Sequence, residues 1–168
     1  MILLLLIGLV LGDWVELFSK NHTHYLTKVY LGGQPFDMQL SLGTSLLMVL
    51  DFGCFGCKSD KRTSYSADSN TFEMITISSP MCVKGETLRM TNECSFDYSD
   101  LLDYSASGIL SFEHVRFGKF SLDEALFGRI LEESFHPELD GFIGFGVENM
   151  YDMYGLSVFE NLVEVTHY

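Results

Sequence analysis

The sequence predicts a mainly β domain, and three observations support this prediction. Apolar and polar residues alternate in several segments, many of these segments end in glycine, and they recur roughly every ten residues, which is typical of all-β domains. Apolar residues at helical spacing occur in one segment alone, near the end of the chain. The predicted strands are "YLTKVYLG", "FDMQLSLG", "LLMVLDFG", "TFEMITIS", "GILSFEHVRFG", "EALFGRILEE" and "FIGFG".

The chain begins with an apolar run, "ILLLLIGLVLG", at residues 2–12. This run is too short to span a bilayer comfortably, and it has the length of the hydrophobic part of a secretory signal. Val10 and Gly12 supply the small residues that precede a cut after Gly12, although the usual basic residues before the run are missing. A buried N-terminal strand is the alternative. We predict a signal peptide at 1–12 and a single domain at 13–168.

The predicted strands and the one predicted helix differ in the spacing of their apolar residues. The first two strands after the signal alternate, so each has one apolar face, whereas residues 46–50 are continuously apolar, as in a fully buried strand. The segment "LSVFENLVEV", residues 156–165, places Leu156, Phe159 and Val163 on one helical face. We therefore predict one short C-terminal helix. No repeat or Pro/Gly linker divides the rest of the chain.

Composition limits the classes of partner. The 168 residues are 47% hydrophobic and 14% aromatic, which is enough for a packed core in one domain. Twenty-three acidic residues stand against ten Lys and Arg, giving a formal net charge of −13. An acidic surface of this kind repels nucleic acid and anionic membranes. We expect neither as a partner, and we expect no membrane span in the mature chain.

The four cysteines are predicted to form disulfides, because the predicted export places the chain in an oxidising compartment. Three pairings are possible. Cys82 and Cys94 flank a polar segment, so we favour that pair together with Cys54 and Cys57. A four-thiolate zinc site is the alternative, but the spacing lacks the second close pair of a zinc ribbon. The sequon "NHT" at Asn21 is consistent with glycosylation in the secretory pathway, and the predicted location is extracellular or the lysosomal lumen.

One acidic residue stands out because it directly follows the buried strand. In "LLMVLDFGCFGC" an apolar run leads straight into Asp51, which either serves through its charge or caps the turn that ends the strand. The letters Asp-Phe-Gly also occur in the metal-binding motif of protein kinases. That interpretation is rejected, because no glycine-rich phosphate loop, V-A-I-K lysine or H-R-D segment precedes them.

A different set of motifs covers nearly the whole predicted mature chain. In order, these are "HYLTKVYLG", "QPFDMQLSLGTSLLMVLDFG", "CSFDYSDLLDYSASGIL", "LDGFIGFG" and "SVFENLV". Together they resemble the N-terminal lobe of a pepsin-like aspartic protease, and "LDGFIGFG" is the most specific match. The resemblance implies a single lobe of the acid protease β-barrel fold.

The resemblance also implies roles for individual residues. In this family an apolar strand ends in the catalytic aspartate, here Asp51, and a second strand with an apolar-apolar-Gly motif, here with Gly141 and Gly144, crosses behind it. A hairpin between them covers the substrate, and its tyrosine is either Tyr98 or Tyr104. Two such aspartates share one proton, so that one activates water while the other polarises the peptide carbonyl.

The sequence departs from the family pattern around the aspartate. Phe52 replaces the usual Thr or Ser, and Cys54 replaces the Ser expected after Gly53, so two hydroxyl groups are lost. The turn of the hairpin reads "DLLDY" in place of a tyrosine-glycine turn. Too few residues follow the signal for the usual inhibitory pro-segment, and a second lobe with a second aspartate motif is missing.

Other residues offer poor substitutes for the missing half of the site. Asp97, Asp100, Asp103 and Asp140 do not end an apolar strand in a D-x-G context, and Asp140 fits the turn before a strand. No G-x-S-x-G motif supports a serine triad. Asp51 is therefore predicted to be half of a catalytic pair whose partner is absent from this sequence.

Three functions remain open at this point. The chain is one lobe of an acid endopeptidase that needs a partner lobe or a second copy, or a non-catalytic relative that binds an extended peptide or a protein, or a partial product without independent function. We expect inactivity of the chain alone, no cofactor and no metal. A single lobe would leave strand edges uncovered, which predicts a homodimer or poor solubility.

Overall fold

The structure, a computed structural model, describes residues 15–20, 24–55, 57, 62–82, 92–99, 104–134, 139–146 and 158. This part of the chain is mainly β, as the sequence predicts, and its strands form a single sheet. The strands are β1 (Phe18–Lys20), β2 (His24–Leu31), β3 (Gln34–Ser41), β4 (Leu47–Leu50), β5 (Glu73–Met74), β6 (Ser95–Ser99), β7 (Ser105–Phe117), β8 (Phe120–Glu133) and β9 (Gly141–Gly144).

The long strands coincide with the predicted ones, whereas "TFEMITIS" forms only the two-residue strand β5. Hairpins join β2 to β3 and β7 to β8. The first hairpin turns at Gly32 and Gly33, whose φ angles of 55° and 83° lie in the left-handed region that favours glycine. A hairpin also pairs β6 with β7, from Ser95 opposite Ile109 to Ser99 opposite Ser105.

The sheet closes on itself. Strand β9 lies between the consecutive strands β3 and β4, parallel to β3 and antiparallel to β4. Strand β4 is parallel to β8, β8 pairs with β7, and β7 pairs with β2 through residues 115–117. Because β2 also pairs with β3, these six strands form a ring. The short strands β1, β5 and β6 attach to its outside.

Strand β4 is buried on both faces, which explains its continuous apolar sequence. Leu47 and Val49 belong to one core cluster together with Phe36, Val115 and Phe127. Met48 belongs to the other cluster, which contains Cys94, Phe96, Leu110 and Ile130. The alternation follows from the two-residue period of a strand.

Closure of the ring covers part of the strand edges that a single lobe was expected to leave open, because β2 and β7 pair. One edge of β8 stays without a strand partner at residues 120–126 among the described strands, since β4 pairs with β8 only at residues 127–130. The homodimer stays a prediction.

Several predicted features lie outside the described residues. These are the signal peptide at 1–12, the glycosylation site at Asn21, and the C-terminal helix at 156–165 except for Val158, whose side chain is buried in the first core cluster. Within the part of the chain that the structure describes, no helix is long and apolar enough to cross a membrane.

Candidate functional site around Asp51

Asp51 directly follows the last residue of β4. Its amide donates to the carbonyl of Ile130 on β8, at 3.0 Å, and it forms a bridge with Tyr65. The residue is only 6% exposed. The carboxylate is thus fixed in the interior at the end of a central strand.

Both carboxylate oxygens of Asp51 have donors. The amide of Gly53 donates to Oδ1 at 2.7 Å, which closes the turn after the strand. Nε of Arg129, on the neighbouring strand β8, donates to Oδ2 at 2.7 Å. The Arg129 side chain is 14% exposed, and its guanidinium carbon lies 5.2 Å from the centre of the Phe72 ring. Asp51 is therefore part of a largely buried ion pair.

Glycines let β9 pack closely behind the aspartate. A Cβ atom on Gly141 would lie 2.1 Å from the carbonyl oxygen of Met48, and one on Gly144 would lie 2.6 Å from the carbonyl carbon of Ser45. Neither position leaves room for a larger residue without a backbone shift. The two glycines therefore serve the close approach of β9 to the segment that leads to Asp51.

The turn after Asp51 presents two aromatic rings to solvent. Phe52 is 82% exposed and Phe55 is 88% exposed. Their amides are nevertheless fixed, since Phe52 donates to the carbonyl of Tyr65 and Phe55 donates to that of Leu131, both at 2.9 Å. The rings are thus held at the surface by an anchored backbone.

The cysteines pair as predicted, in the disulfides Cys54–Cys57 and Cys82–Cys94. Their Cα atoms are 5.6 Å and 5.8 Å apart, within the range of natural disulfides. The zinc-site alternative is therefore wrong, because disulfide sulfurs are not thiolate ligands. Two disulfides fit an oxidising secretory or extracellular compartment.

The two tyrosines considered for the hairpin differ in burial. Tyr104 is buried, packs against Phe142 with ring centres 5.2 Å apart, and donates from its hydroxyl to Glu133 at 3.3 Å. Tyr98 is half-buried, with its ring 6.3 Å from that of Tyr104. Burial raises the pKa of Tyr104 above its usual range, and the nearby Glu133 carboxylate adds to this shift.

Sequence reasoning missed a second arginine–carboxylate pair. Arg62 donates through Nη1 and Nη2 to the two oxygens of Glu133, and both side chains are buried. Nε of Arg62 also donates to the carbonyl of Leu139, at 2.5 Å. Glu133 comes near the end of a strand in a row of acids, and that pattern did not distinguish it from exposed neighbours.

A third buried carboxylate, that of Glu113 on β7, was also missed. It accepts hydrogen bonds from the hydroxyls of Tyr65 (2.6 Å), Ser69 (3.2 Å) and Thr71, and from the amide of His114 (2.8 Å). Burial, followed by the hydrogen bond to Glu113, raises the pKa of Tyr65 above its usual range. The sequence predicted a strand here, but nothing in its pattern indicated that Glu113 is buried.

The other acids that the structure describes do not complete a pair with Asp51. Asp140 is buried, and its oxygens accept from the amides of Asp37 (2.8 Å) and Thr63 (2.7 Å), so it fastens the start of β9 to two segments. Asp97 is exposed on β6, whereas Asp100 and Asp103 lie outside the described residues. Among the side chains that the structure describes, no second carboxylate shares a hydrogen bond with Asp51.

A cavity of about 430 Å³ lies beside the β6–β7 hairpin. Residues 97–99, 105–107 and 132–134 line it, so it extends across the ends of three paired strands. Its lining is mostly hydroxyl and carboxylate side chains. Neither a protein-family model nor a curated protein matches the sequence of this chain.

Proposed function

We propose that the chain is an aspartic-protease-like lobe of the pepsin-like type that does not hydrolyse peptides by itself. The observation that carries the proposal is the ion pair between Asp51 and Arg129 at the end of β4. A paired-aspartate mechanism needs one carboxylate to take a proton from water, and that carboxylate must face a second acid. Here the position beside Asp51 is held by a guanidinium group.

Three features of the fold support the pepsin-like part of the proposal. The apolar strand β4 ends at the aspartate, β9 with its two glycines runs next to β4, and the β6–β7 hairpin precedes β9 in the sequence. This order and the neighbouring positions of β4 and β9 fit the arrangement that the sequence motifs imply. The disulfides favour a secreted or lysosomal location.

The ion pair gives a physical reason for inactivity. Both oxygens of the Asp51 carboxylate already accept hydrogen bonds, one from the Gly53 amide and one from Nε of Arg129, so the guanidinium occupies the place that a catalytic water or a second acid would need. Phe52 stands where the family has a hydroxyl, and its ring faces solvent. A partner lobe or a second copy would thus meet an apolar ring at this position.

Hydrolysis of a quenched fluorescent peptide library tests the proposal between about pH 3 and pH 6, where a paired-aspartate enzyme is partly protonated. The whole chain and its Asp51→Asn variant are compared, and a two-lobed acid protease serves as the positive control. We expect both forms of the chain to give the background rate. Turnover by the unaltered chain that disappears in Asp51→Asn would establish a catalytic aspartate and refute the proposal.

The cavity beside the hairpin favours a second candidate function, the binding of an extended peptide without cleavage. It is concave and offers hydroxyl and carboxylate groups on three strands, which suits hydrogen bonding to a peptide. The same library, with binding measured by fluorescence anisotropy, tests this function independently of hydrolysis.

A further inference from the structure

A second cavity, of about 500 Å³, lies where β1, β2 and the end of β7 meet. Its lining comes from the segment before β1, from β1 and β2 themselves, and from the end of β7 with the turn that follows it. Among the described residues, those that line this cavity form no hydrogen bond or ion pair with Asp51. The cavity is therefore separate from the site around the aspartate.

The register of β2 and β7 explains why space is left at this point. Tyr30 lies directly opposite Arg116, and Lys28 lies two positions before Tyr30, so these three residues share one face of the sheet. The same register, continued by one residue, places Gly118 opposite Lys28. Gly118 has no side chain, and its φ of 55° in the turn before β8 favours glycine. The space between Lys28 and Arg116 therefore stays open.

Both cationic side chains of the cavity keep hydrogen-bond donors that the described part of the chain does not use. The guanidinium carbon of Arg116 lies 4.5 Å from the centre of the Tyr30 ring, and the group has no hydrogen bond or ion pair with a described residue. Lys28 donates to Asp37 at 2.7 Å, which uses one of the three N–H groups of its ammonium. An anion in the cavity can thus accept hydrogen bonds from both residues.

The nearby acids leave the charge of Arg116 unpaired. Asp37 pairs with Lys28 and does not line the cavity. Glu16 does line it, but this side chain is exposed, and no ion pair joins it to Arg116 in the described part of the chain. A guanidinium that lies flat on an aromatic ring keeps the N–H groups at its edge available for two parallel hydrogen bonds to a carboxylate. The chemistry of the lining therefore favours an anionic ligand.

The rest of the lining is partly apolar and is held in place by the fold. Phe18 on β1 keeps 37% of its surface exposed, and the ring of Tyr30 contributes a second aromatic wall. The hydroxyl of Thr27 donates to the carbonyl of Glu16 at 3.1 Å, which fastens the segment before β1 to β2. A preformed wall of this kind can pack against an apolar group of a ligand.

We propose that this cavity binds the carboxylate of an apolar acid, either the carboxyl end of a peptide whose last residue is aromatic or a small aromatic carboxylic acid. The carboxylate accepts two hydrogen bonds from Arg116 and one from Lys28, and the apolar part packs against Phe18. The site is independent of the proposed protease-like function, because it shares no residue with the surroundings of Asp51.

Nuclear magnetic resonance titration of the isotope-labelled whole chain with phenylpropionate tests the proposal. Phenylpropionamide is the matched control, because it has the same shape without the charge. We expect the amide signals of residues 28–30 and 116–118 to shift with the acid, with a dissociation constant of about 1–10 mM, and we expect the amide to bind about ten-fold more weakly or less. Equal binding of the two compounds would overturn the proposal. Absence of these shifts at about ten times that concentration of acid would overturn it as well.

The same titration with acetyl-glycyl-phenylalanine distinguishes the two sources of the carboxylate. Tighter binding of this peptide than of phenylpropionate would assign the cavity to peptide ends. Equal or weaker binding would assign it to small aromatic acids.

Substitution of Arg116 identifies the group that recognises the carboxylate. Arg116→Gln should weaken the binding of phenylpropionate about ten-fold or more, because hydrogen bonds between charged groups are lost. Arg116→Lys keeps the charge but not the planar group, and it should still bind several-fold more weakly than the unaltered chain. Because Arg116 is exposed, both variants should keep the fold, which their remaining amide signals verify.

Lys119→Gln is the charge-matched control. It removes one positive charge from a neighbouring residue that does not line the cavity, and it should change the dissociation constant less than about three-fold. Equal weakening by Lys119→Gln and Arg116→Gln would indicate only a general attraction of anions and would refute the site. An unchanged dissociation constant in Arg116→Gln would refute it too.

Discussion

Three of the buried carboxylates that the structure describes, those of Asp51, Glu133 and Glu113, are satisfied in two different ways. Asp51 and Glu133 each accept from an arginine, Arg129 and Arg62 respectively. Glu113 lies as deep in the structure, but its described partners are three hydroxyls and one amide. All three acids fasten the segment from residue 51 to residue 72 to the sheet.

The difference shows how one segment combines two kinds of attachment. An arginine balances the charge of its carboxylate and donates hydrogen bonds to it. Hydroxyl donors satisfy a carboxylate without cancelling its charge. At Asp51, where the sequence predicts catalysis, the carboxylate has an arginine as its partner.

The largest expected effect comes from removing one arginine. Arg62→Met leaves Glu133 buried without its cation, which should lower the free energy of unfolding by about 3–5 kcal/mol. Urea denaturation measures this change. Lys28→Met is the matched control, because Lys28 pairs with Asp37 at the exposed surface. This substitution should lower the free energy of unfolding by less than about 1 kcal/mol. Equal effects of the two substitutions would contradict a buried pair.

Replacing Glu113, whose partners are mainly hydroxyl groups, should lower the free energy of unfolding less than Arg62→Met does. In Glu113→Gln the shape is kept, but hydrogen bonds to a charged acceptor are lost and an amide group faces hydroxyl donors. We expect a loss of about 1.5–3 kcal/mol in the free energy of unfolding, from the typical value of a bond to a charged group. Asp97→Asn, at an exposed site on β6, provides the control and should leave the free energy of unfolding nearly unchanged. A stable Glu113→Gln variant would show that the network contributes little.

The smallest effect is a difference between tyrosines at alkaline pH. Tyr65 donates to Glu113 and Tyr104 to Glu133, and burial raises the pKa of both, with the carboxylates adding to the shift. The tyrosines of the unfolded chain ionise near pH 10, whereas these two should stay protonated at that pH in the folded protein. Their contribution to stability is complete below about pH 10. It is lost as the pH rises towards their folded pKa, because the unfolded chain releases these protons first.

Absorbance of tyrosinate during a pH titration checks this prediction. The folded protein should ionise at least two tyrosines fewer than the urea-unfolded protein at the same pH. In Tyr65→Phe this difference should be smaller by one. Ionisation of every tyrosine near pH 10 in the folded protein would contradict the proposed contacts.

The sequence predicts the strands well, because alternation and glycine-ended segments report burial directly. β4 is the clearest case, since a strand buried on both faces must be apolar throughout. Asp51 and the pairing of all four cysteines also follow from local patterns. Asp140 was expected in a turn before a strand, and it does lie directly before β9.

The arginines that pair with the buried acids could not be predicted from the sequence. Arg129 lies 78 positions from Asp51, and Arg62 lies 71 from Glu133. An arginine within "EALFGRILEE" has the same local pattern whether it faces water or a carboxylate. Only the register that sets β4 beside β8 brings Arg129 to Asp51. The resemblance implies a β-barrel, but the pairing of β2 with β7 that closes the ring was not predicted, since it joins strands that are distant in the sequence.

The position of β9 has a consequence for how the protein folds. Strands β3 and β4 follow each other in the sequence, but they do not pair, because β9 is inserted between them. Asp140 reaches the amide of Asp37 across 103 positions of chain. During synthesis, the inner edges of β3 and β4 therefore stay open until nearly the whole barrel sequence has left the ribosome. Closure of a ring through such distant contacts is slow, and in the meantime the unfinished ring exposes two strand edges, whose backbone groups are unpaired, to other chains.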